Sequence, residues 1–243
     1  MLIGMGSPML LAAGGPLRII AEDAGLVADN QDDGTEDFTV DVGVHEPGRF
    51  LVLCLTLETN SGAANACDFT SIAVDPAGQN IALTEIETAS GSGASETQRA
   101  AIWAGDISAF TGSSVTVRVN WNHLGTTSIG LSAVAVSRPI AAAVHDSAAG
   151  TADGPTAVST SAGVAAPAGA LLVVAAHDDD HSAPGASSDV TEQADANSGG
   201  TGSHDHRHWA GWDVLAAGRA SAVATVTFAT STDEKAICAA VWR

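Results

Sequence analysis

The chain has 243 residues, and 28 acidic side chains against 9 basic ones give it a formal net charge of −19 at pH 7. An acid-rich surface of this kind repels phosphate backbones and anionic membranes, which argues against nucleic-acid binding, and no segment reaches the length of a transmembrane helix, so no membrane insertion is expected. Hydrophobic content of 45% supports real cores, yet the apolar set is mostly Ala, Val, Leu and Ile, with no Tyr, and Gly or Pro interrupts nearly every apolar stretch. That composition predicts many short strands and no long helix.

Residues 1–16 read as an irregular arm of small and apolar residues, Leu10 and Leu11 among them, without a core of its own. No Lys or Arg precedes the short apolar stretch 9–13, so the arm fails as a secretory signal and is too short to span a bilayer. Residues 17–21 are a candidate first strand. The acidic run 29–37 reads as a solvated loop, and its spacing does not match a calcium-binding loop.

From Phe38 the pattern is regular. Phe38, Val40, Val42 and Val44 alternate with Thr39, Asp41 and Gly43, as in a half-buried strand. Gly43-Val44-His45-Glu46-Pro47-Gly48-Arg49 then forms a turn into the continuous apolar run 50–57, the pattern of a strand buried on both faces. Further strands are expected at 69–74, 81–88, 98–107, 115–121 and 129–137. Residues 139–156 read as a linker or connecting strand.

The same plan then returns. Gly163-Val164-Ala165-Ala166-Pro167-Ala168-Gly169-Ala170 leads into the aliphatic run 171–176. The stretch 99–103 corresponds to 207–212, 115–119 to 224–228, and 131–138 to 236–243, all in the same order. Six to eight strands per unit with frequent turn signals predict an all-β protein of two tandem β-sandwich units, jelly-roll or Ig-like. The expected division is an N-terminal arm and acidic loop at 1–37, a first sandwich at 38–138, a linker at 139–156 and a second sandwich at 157–243. The stop at Arg243 is expected to close the second unit with no further domain. Cys54 and Cys238 lie in apolar strand runs and Cys67 lies just before Phe69; an odd count of three favours buried thiols over disulfides.

Chemistry-bearing residues concentrate in the second unit, where His177-Asp178-Asp179-Asp180-His181 and His204-Asp205-His206-Arg207-His208 hold five of the eight histidines. If 204–208 is extended, His204, His206 and His208 share one face and Asp205 and Arg207 the other. His177, His181, His204, His206 and His208 are thus candidate ligands for a divalent metal, with carboxylates from 178–180 completing or orienting the set. The plainer reading is a pair of exposed polar loops titrating near neutral pH. Among the tryptophans, Trp103, Trp212 and Trp242 sit on apolar strands as core anchors. Trp121 and Trp209 are the candidates for exposure and for stacking on sugar rings. There is no G-x-S-x-G elbow, phosphate-binding loop or dinucleotide fingerprint.

The repeated G-V-x-x-P turn before an aliphatic strand, the Trp-centred strand and the apolar closing strand resemble the small β-sandwich proteins of tailed phages and gene-transfer particles. Such proteins decorate capsids, form head spikes or fibres, or act as tail adhesins. His204 and His206 also match the H-x-H spacing through which some phage spike tips bind iron. The resemblance implies a non-enzymatic, homo-oligomeric virion-surface protein. Its N-terminal part would anchor to other virion proteins, and its second unit would face outward toward host surface polysaccharide. It would be assembled in the host cytoplasm and released by lysis. Two alternatives belong to other classes: a free carbohydrate-binding module using Trp121 or Trp209, and a metal-dependent hydrolase built on the His/Asp cluster.

Overall fold

A computed structural model describes residues 17–31, 33–59, 67–92, 97–122, 127–137, 144–179, 185–197, 206–229 and 234–243. The protein is all-β, with no helix among these residues. The first half comprises β1 (Arg18–Gln31), β2 (Thr35–Asp41), β3 (Arg49–Thr59), β4 (Phe69–Val74), β5 (Ile81–Ala82), β6 (Thr84–Ser92), β7 (Thr97–Asp106), β8 (Ser114–Trp121) and β9 (Thr127–Ser137). The second half comprises β10 (Asp146–Asp153), β11 (Ala157–Ser159), β12 (Val164–Ala166), β13 (Leu171–Asp178), β14 (Gly185–Ala186), β15 (Glu192–Asn197), β16 (Arg207–Val214), β17 (Arg219–Ala222), β18 (Thr225–Phe228) and β19 (Glu234–Trp242).

Five-stranded antiparallel sheets form the middle of each half, ordered β1-β9-β3-β7-β6 and β10-β19-β13-β16-β15. Strand for strand, the two orders coincide. A first outer sheet, β2-β8-β4-β5, faces the first inner sheet, and β11-β18-β14 with the pair β12-β17 faces the second. The sequence correspondences therefore fall on strands in equivalent places: β3 with β13, β7 with β16, β8 with β18, and β9 with β19.

The entry turns to β3 and β13 explain the shared glycine. Arg49 N–H donates to Glu46 O at 3.2 Å and Ala170 N–H to Pro167 O at 3.1 Å, closing four-residue turns. Their third residues, Gly48 and Gly169, have φ of 73° and 79°. A positive φ at that position defines a type II turn and favours glycine, because a side chain there meets its own backbone.

Every residue of β3 and β9 is buried, as is every residue of β13. Alternation along β3 shows why. Leu51, Leu53, Leu55 and Leu57 enter the core shared with the first outer sheet. Phe50, Val52 and Cys54 enter a different core, with Leu171, Val173, Ala175, Trp212, Cys238 and Trp242 of the second inner sheet. A third core lies between the second inner sheet and its outer layer. The chain is thus four β layers deep, and the two inner sheets pack face to face across an interface rich in alanine.

Two expected boundaries change. Residues 18–37 are not arm and loop: β1 pairs along β9 as the edge of the first inner sheet, and β2 runs from Thr35 beside β8. The acidic run is tolerated in strands because alternate side chains of β2 point to solvent while Phe38 and Val40 point inward. Within the expected linker, residues 146–153 form β10, paired with β19 throughout. Residues 1–16 lie outside the described residues. Cys54, Cys67 and Cys238 are buried thiols, as expected. Burial pushes the Cys54 and Cys238 thiols up from their ordinary range. Alkylation of the native protein at pH 8 is expected to leave all three unmodified, whereas unfolded protein takes up three adducts by intact mass.

Candidate functional site

Toward the C-terminal end of β3 the inward alternation continues, but its chemistry changes. After Phe50, Val52 and Cys54 come Thr56 and Glu58, still facing the second inner sheet, and both are buried. From the opposite sheet β13 presents His177, β16 presents His208, and His206 lies just before β16. From the first inner sheet β9 contributes Ser132. These six side chains form one polar cluster sealed between the sheets, and none exceeds 1% exposure.

Thr56 Oγ1 lies 2.7 Å from His206 Nε2 and 2.8 Å from His208 Nδ1. Ser132 Oγ lies 2.8 Å from His208 Nε2 and accepts the Gly25 N–H at 3.0 Å. His177 Nε2 approaches Glu58 Oε2 at 3.4 Å, and the His177 and His206 rings stack with centroids 4.9 Å apart. Room for the His208 ring comes from Gly130 on β9, where a Cβ would stand 2.4 Å from His208 Cβ and Cγ. Burial disfavours the charged imidazole. It holds His177 and His208 down to about 3, with neighbouring His208 and Lys235 adding to the effect on His177. The same burial, reinforced by His177 and His208, holds His206 below its ordinary range.

On the other face of the second inner sheet, at the same level, Lys235 Nζ meets Asp178 Oδ1 at 3.3 Å, both fully buried. Beside them Arg207 pairs with Asp195. Residues 204 and 205 lie outside the described residues; of the extended geometry expected of 204–208, the described residues 206–208 show both imidazoles on one face and Arg207 on the other. Their environment differs from the exposed, neutral-titrating loops anticipated, because a second sheet covers them. Side chains that must be buried with polar atoms find hydrogen-bond partners or ion pairs, and here those partners come from the other half of the chain.

The candidate metal ligands divide. His177, His206 and His208 are brought together, while His181 and His204 lie outside the described residues. Among the described residues no group of three His, Cys, Asp or Glu side chains is arranged to hold a metal ion. Both ring nitrogens of His208 are engaged by hydroxyls, so it offers no open lone pair.

Trp121 and Trp209, the candidate sugar platforms, are instead core residues at 5% and 0% exposure. Trp121 packs in the first outer core and Trp209 in the third, where its Nε1–H donates to Glu192 Oε2 at 3.2 Å. Both rings point into a core covered by a second sheet. Trp103, Trp212 and Trp242 are buried as expected. Thr56, Glu58 and Ser132 were not among the residues predicted from sequence: the apolar run ends at Leu57, and only the structure carries β3 on through Glu58 to Thr59.

Elsewhere, a recess of about 400 Å³ opens where β6 lies along β10, bounded by Ala89, Ala149, Gly150, Thr151, Ser159 and Ser161. Its walls are small residues with no titratable side chain. Comparison of the chain with family models, with curated proteins and with solved structures gave no match.

Proposed function

We propose that this chain is a non-enzymatic structural and binding protein on the surface of a phage-like particle, acting as a capsid decoration, head spike or tail component. The observation that carries the reading is the use made of its reactive residues. His177, His206, His208 and all five tryptophans serve as internal packing in a four-layer stack. What remains outside is a shell dominated by acidic residues around a rigid interior. Such a body suits holding position on a larger assembly and staying soluble through charge repulsion.

Its partners in this reading are other particle proteins, contacted through the N-terminal part, and further copies of itself. Multivalent display would multiply weak contacts with a host surface. The carbohydrate-module alternative loses its two stacking residues to the cores. Of the residues the hydrolase alternative would use, the described ones, His177, His206 and His208, are buried.

Sedimentation of a source-culture lysate through a density gradient, with mass spectrometry of the particle band, tests the proposal. The chain is expected to co-sediment with capsid proteins in a fixed ratio. Recovery only in the soluble fraction would overturn it.

A further inference from the structure

We propose that a recess between β6 and β10, floored by Gly91 and Gln98 and flanked by Asp153 and Glu234, is a calcium-binding site whose ion ties the two halves of the chain together at this edge of the inner interface. The inference uses none of the histidines and is independent of any place on a particle.

Strand register assembles the site. β6 and β10 are edge strands of the two inner sheets. Gly91 on β6 pairs with Gln98 on β7, and Asp153 on β10 pairs with Glu234 on β19. Ala89, Ala100 and Ala236 lie in the core between the inner sheets, with Ala149 packed against it. Counting by twos from these alanines turns Gly91, Gln98, Glu234 and Asp153 toward the same interface. Gly91, Thr151, Asp153 and Glu234 line a recess of about 240 Å³. Thr151 and Asp153 are exposed, whereas Gly91 and Gln98 are buried, so the recess runs from solvent to a buried floor.

A buried amide points to the ligand. Gln98 is 0% exposed, and neither its Oε1 nor its Nε2 has a hydrogen-bond partner. Buried polar groups in folded proteins are rarely left so, because the lost hydration goes unrepaid. This amide is directed at the recess. A Cβ on Gly91 would stand 3.2 Å from Gln98 Oε1, 3.5 Å from Glu234 Oε2 and 3.7 Å from Lys235 O. Oxygens from both halves thus converge on the space that glycine leaves open.

Charge points the same way. Asp153 and Glu234 stand directly opposite each other in an antiparallel ladder, where like charges repel unless a cation stands between them. The basic side chains next in sequence do not fill that role. Lys235 turns to Asp178 on the other face of its sheet, and Arg99 turns to Asp68 and the Cys67 carbonyl. No Lys or Arg is among the described residues lining the recess.

The donor set selects the ion. Every group offered is an oxygen: two carboxylates, an amide, a main-chain carbonyl and the Thr151 hydroxyl. Such ligands suit hard cations, and two carboxylates balance a divalent charge. The recess is several times the roughly 30 Å³ that one water occupies, so the ion retains waters at the exposed mouth. Calcium accepts about six to eight oxygens in flexible geometry, whereas magnesium demands a close octahedron. Ligands drawn from several strands of two separate sheets match the looser requirement.

Calorimetric titration of the EDTA-stripped full chain with Ca²⁺ tests the site, at about 0.15 M NaCl to screen diffuse attraction to the acidic surface. One ion per chain is expected, with a Kd of about 10⁻⁴–10⁻³ M, and equimolar Mg²⁺ should not displace it. Glu234→Gln should weaken binding by about tenfold or more. Gly91→Ala keeps every charge but sets a methyl group among the converging oxygens, so it should weaken binding as strongly. No saturable uptake, or binding unchanged in either variant, would overturn the proposal; the latter result would assign the uptake to the acidic surface at large. Should a variant fail to fold, hydrogen exchange of the wild type decides. Ca²⁺ should slow exchange of β6 and β10 amides relative to EDTA, and unchanged exchange there sinks the site.

Discussion

Arg49→Met is expected to lower the unfolding free energy by roughly 3–5 kcal/mol, the cost of removing a buried charged group whose two terminal nitrogens are hydrogen-bonded. Arg49 opens β3 and has no exposed surface. Its Nη1 donates to the carbonyls of Val42 at 3.3 Å, Gly43 at 2.7 Å and Gly112 at 3.0 Å, and its Nη2 to that of Phe110. The guanidinium carbon lies 5.6 Å from the centre of the Phe110 ring. One side chain thus ties the turn before β3 to the loop before β8, satisfying carbonyls that no ladder uses. Methionine keeps the apolar stem and leaves those acceptors facing each other. Lysine should recover only part of the loss, because a point charge cannot fork to four acceptors. Urea unfolding checks both variants, and a change below about 1 kcal/mol for Met would mean that water replaces the guanidinium. The second half holds Ala170 after its own entry turn, so the latch at Arg49 is peculiar to the first.

Trp242→Ala is expected to cost a similar amount, about 3–5 kcal/mol, through a cavity that its neighbours cannot close. Trp242 ends β19 at 0% exposure and pairs across the ladder with Leu171. Its ring meets Phe50 of the first half with centroids 6.3 Å apart at 58°. It therefore anchors the end of the inner interface opposite the histidine cluster. Thermal unfolding followed by calorimetry should report the loss. The variant should also increase oxidation of Phe50 at neutral pH, which distinguishes a loosened interface from damage confined to one core. Unchanged oxidation of Phe50 would place the role of Trp242 within the second half alone.

Residue by residue, the strands were mostly readable in advance. β8 alternates Val115, Val117, Val119 and Trp121 inward against Thr116, Arg118 and Asn120, and the structure follows it. The predicted 69–74 strand matches β4. These are local readings, resting on a two-residue period that any half-buried strand must show. Misreadings arose where burial depends on something distant in the chain. β1 is fourteen residues long but carries Glu22, Asp23 and Asp29, so it lacks a clean period. Its pairing with β9, across more than a hundred residues, makes it a strand nonetheless. β10 is poor in large side chains, and its full-length ladder with β19 orders it.

The amino-acid sequence alone determined the all-β class, the short strands, the glycine turns into β3 and β13, the buried thiols and the strong negative charge. Each follows from side-chain chemistry acting within a few residues. It also carried the unusual feature of strands apolar on both faces. Only the tertiary structure decided what covers the second face: the two inner sheets cover one another. That decision turned His177, His206 and His208 from apparent loop residues into buried, neutral groups and drew Trp121 and Trp209 into cores. Burial is a property of whatever packs above a side chain, and here the covering sheet comes from residues far along the chain.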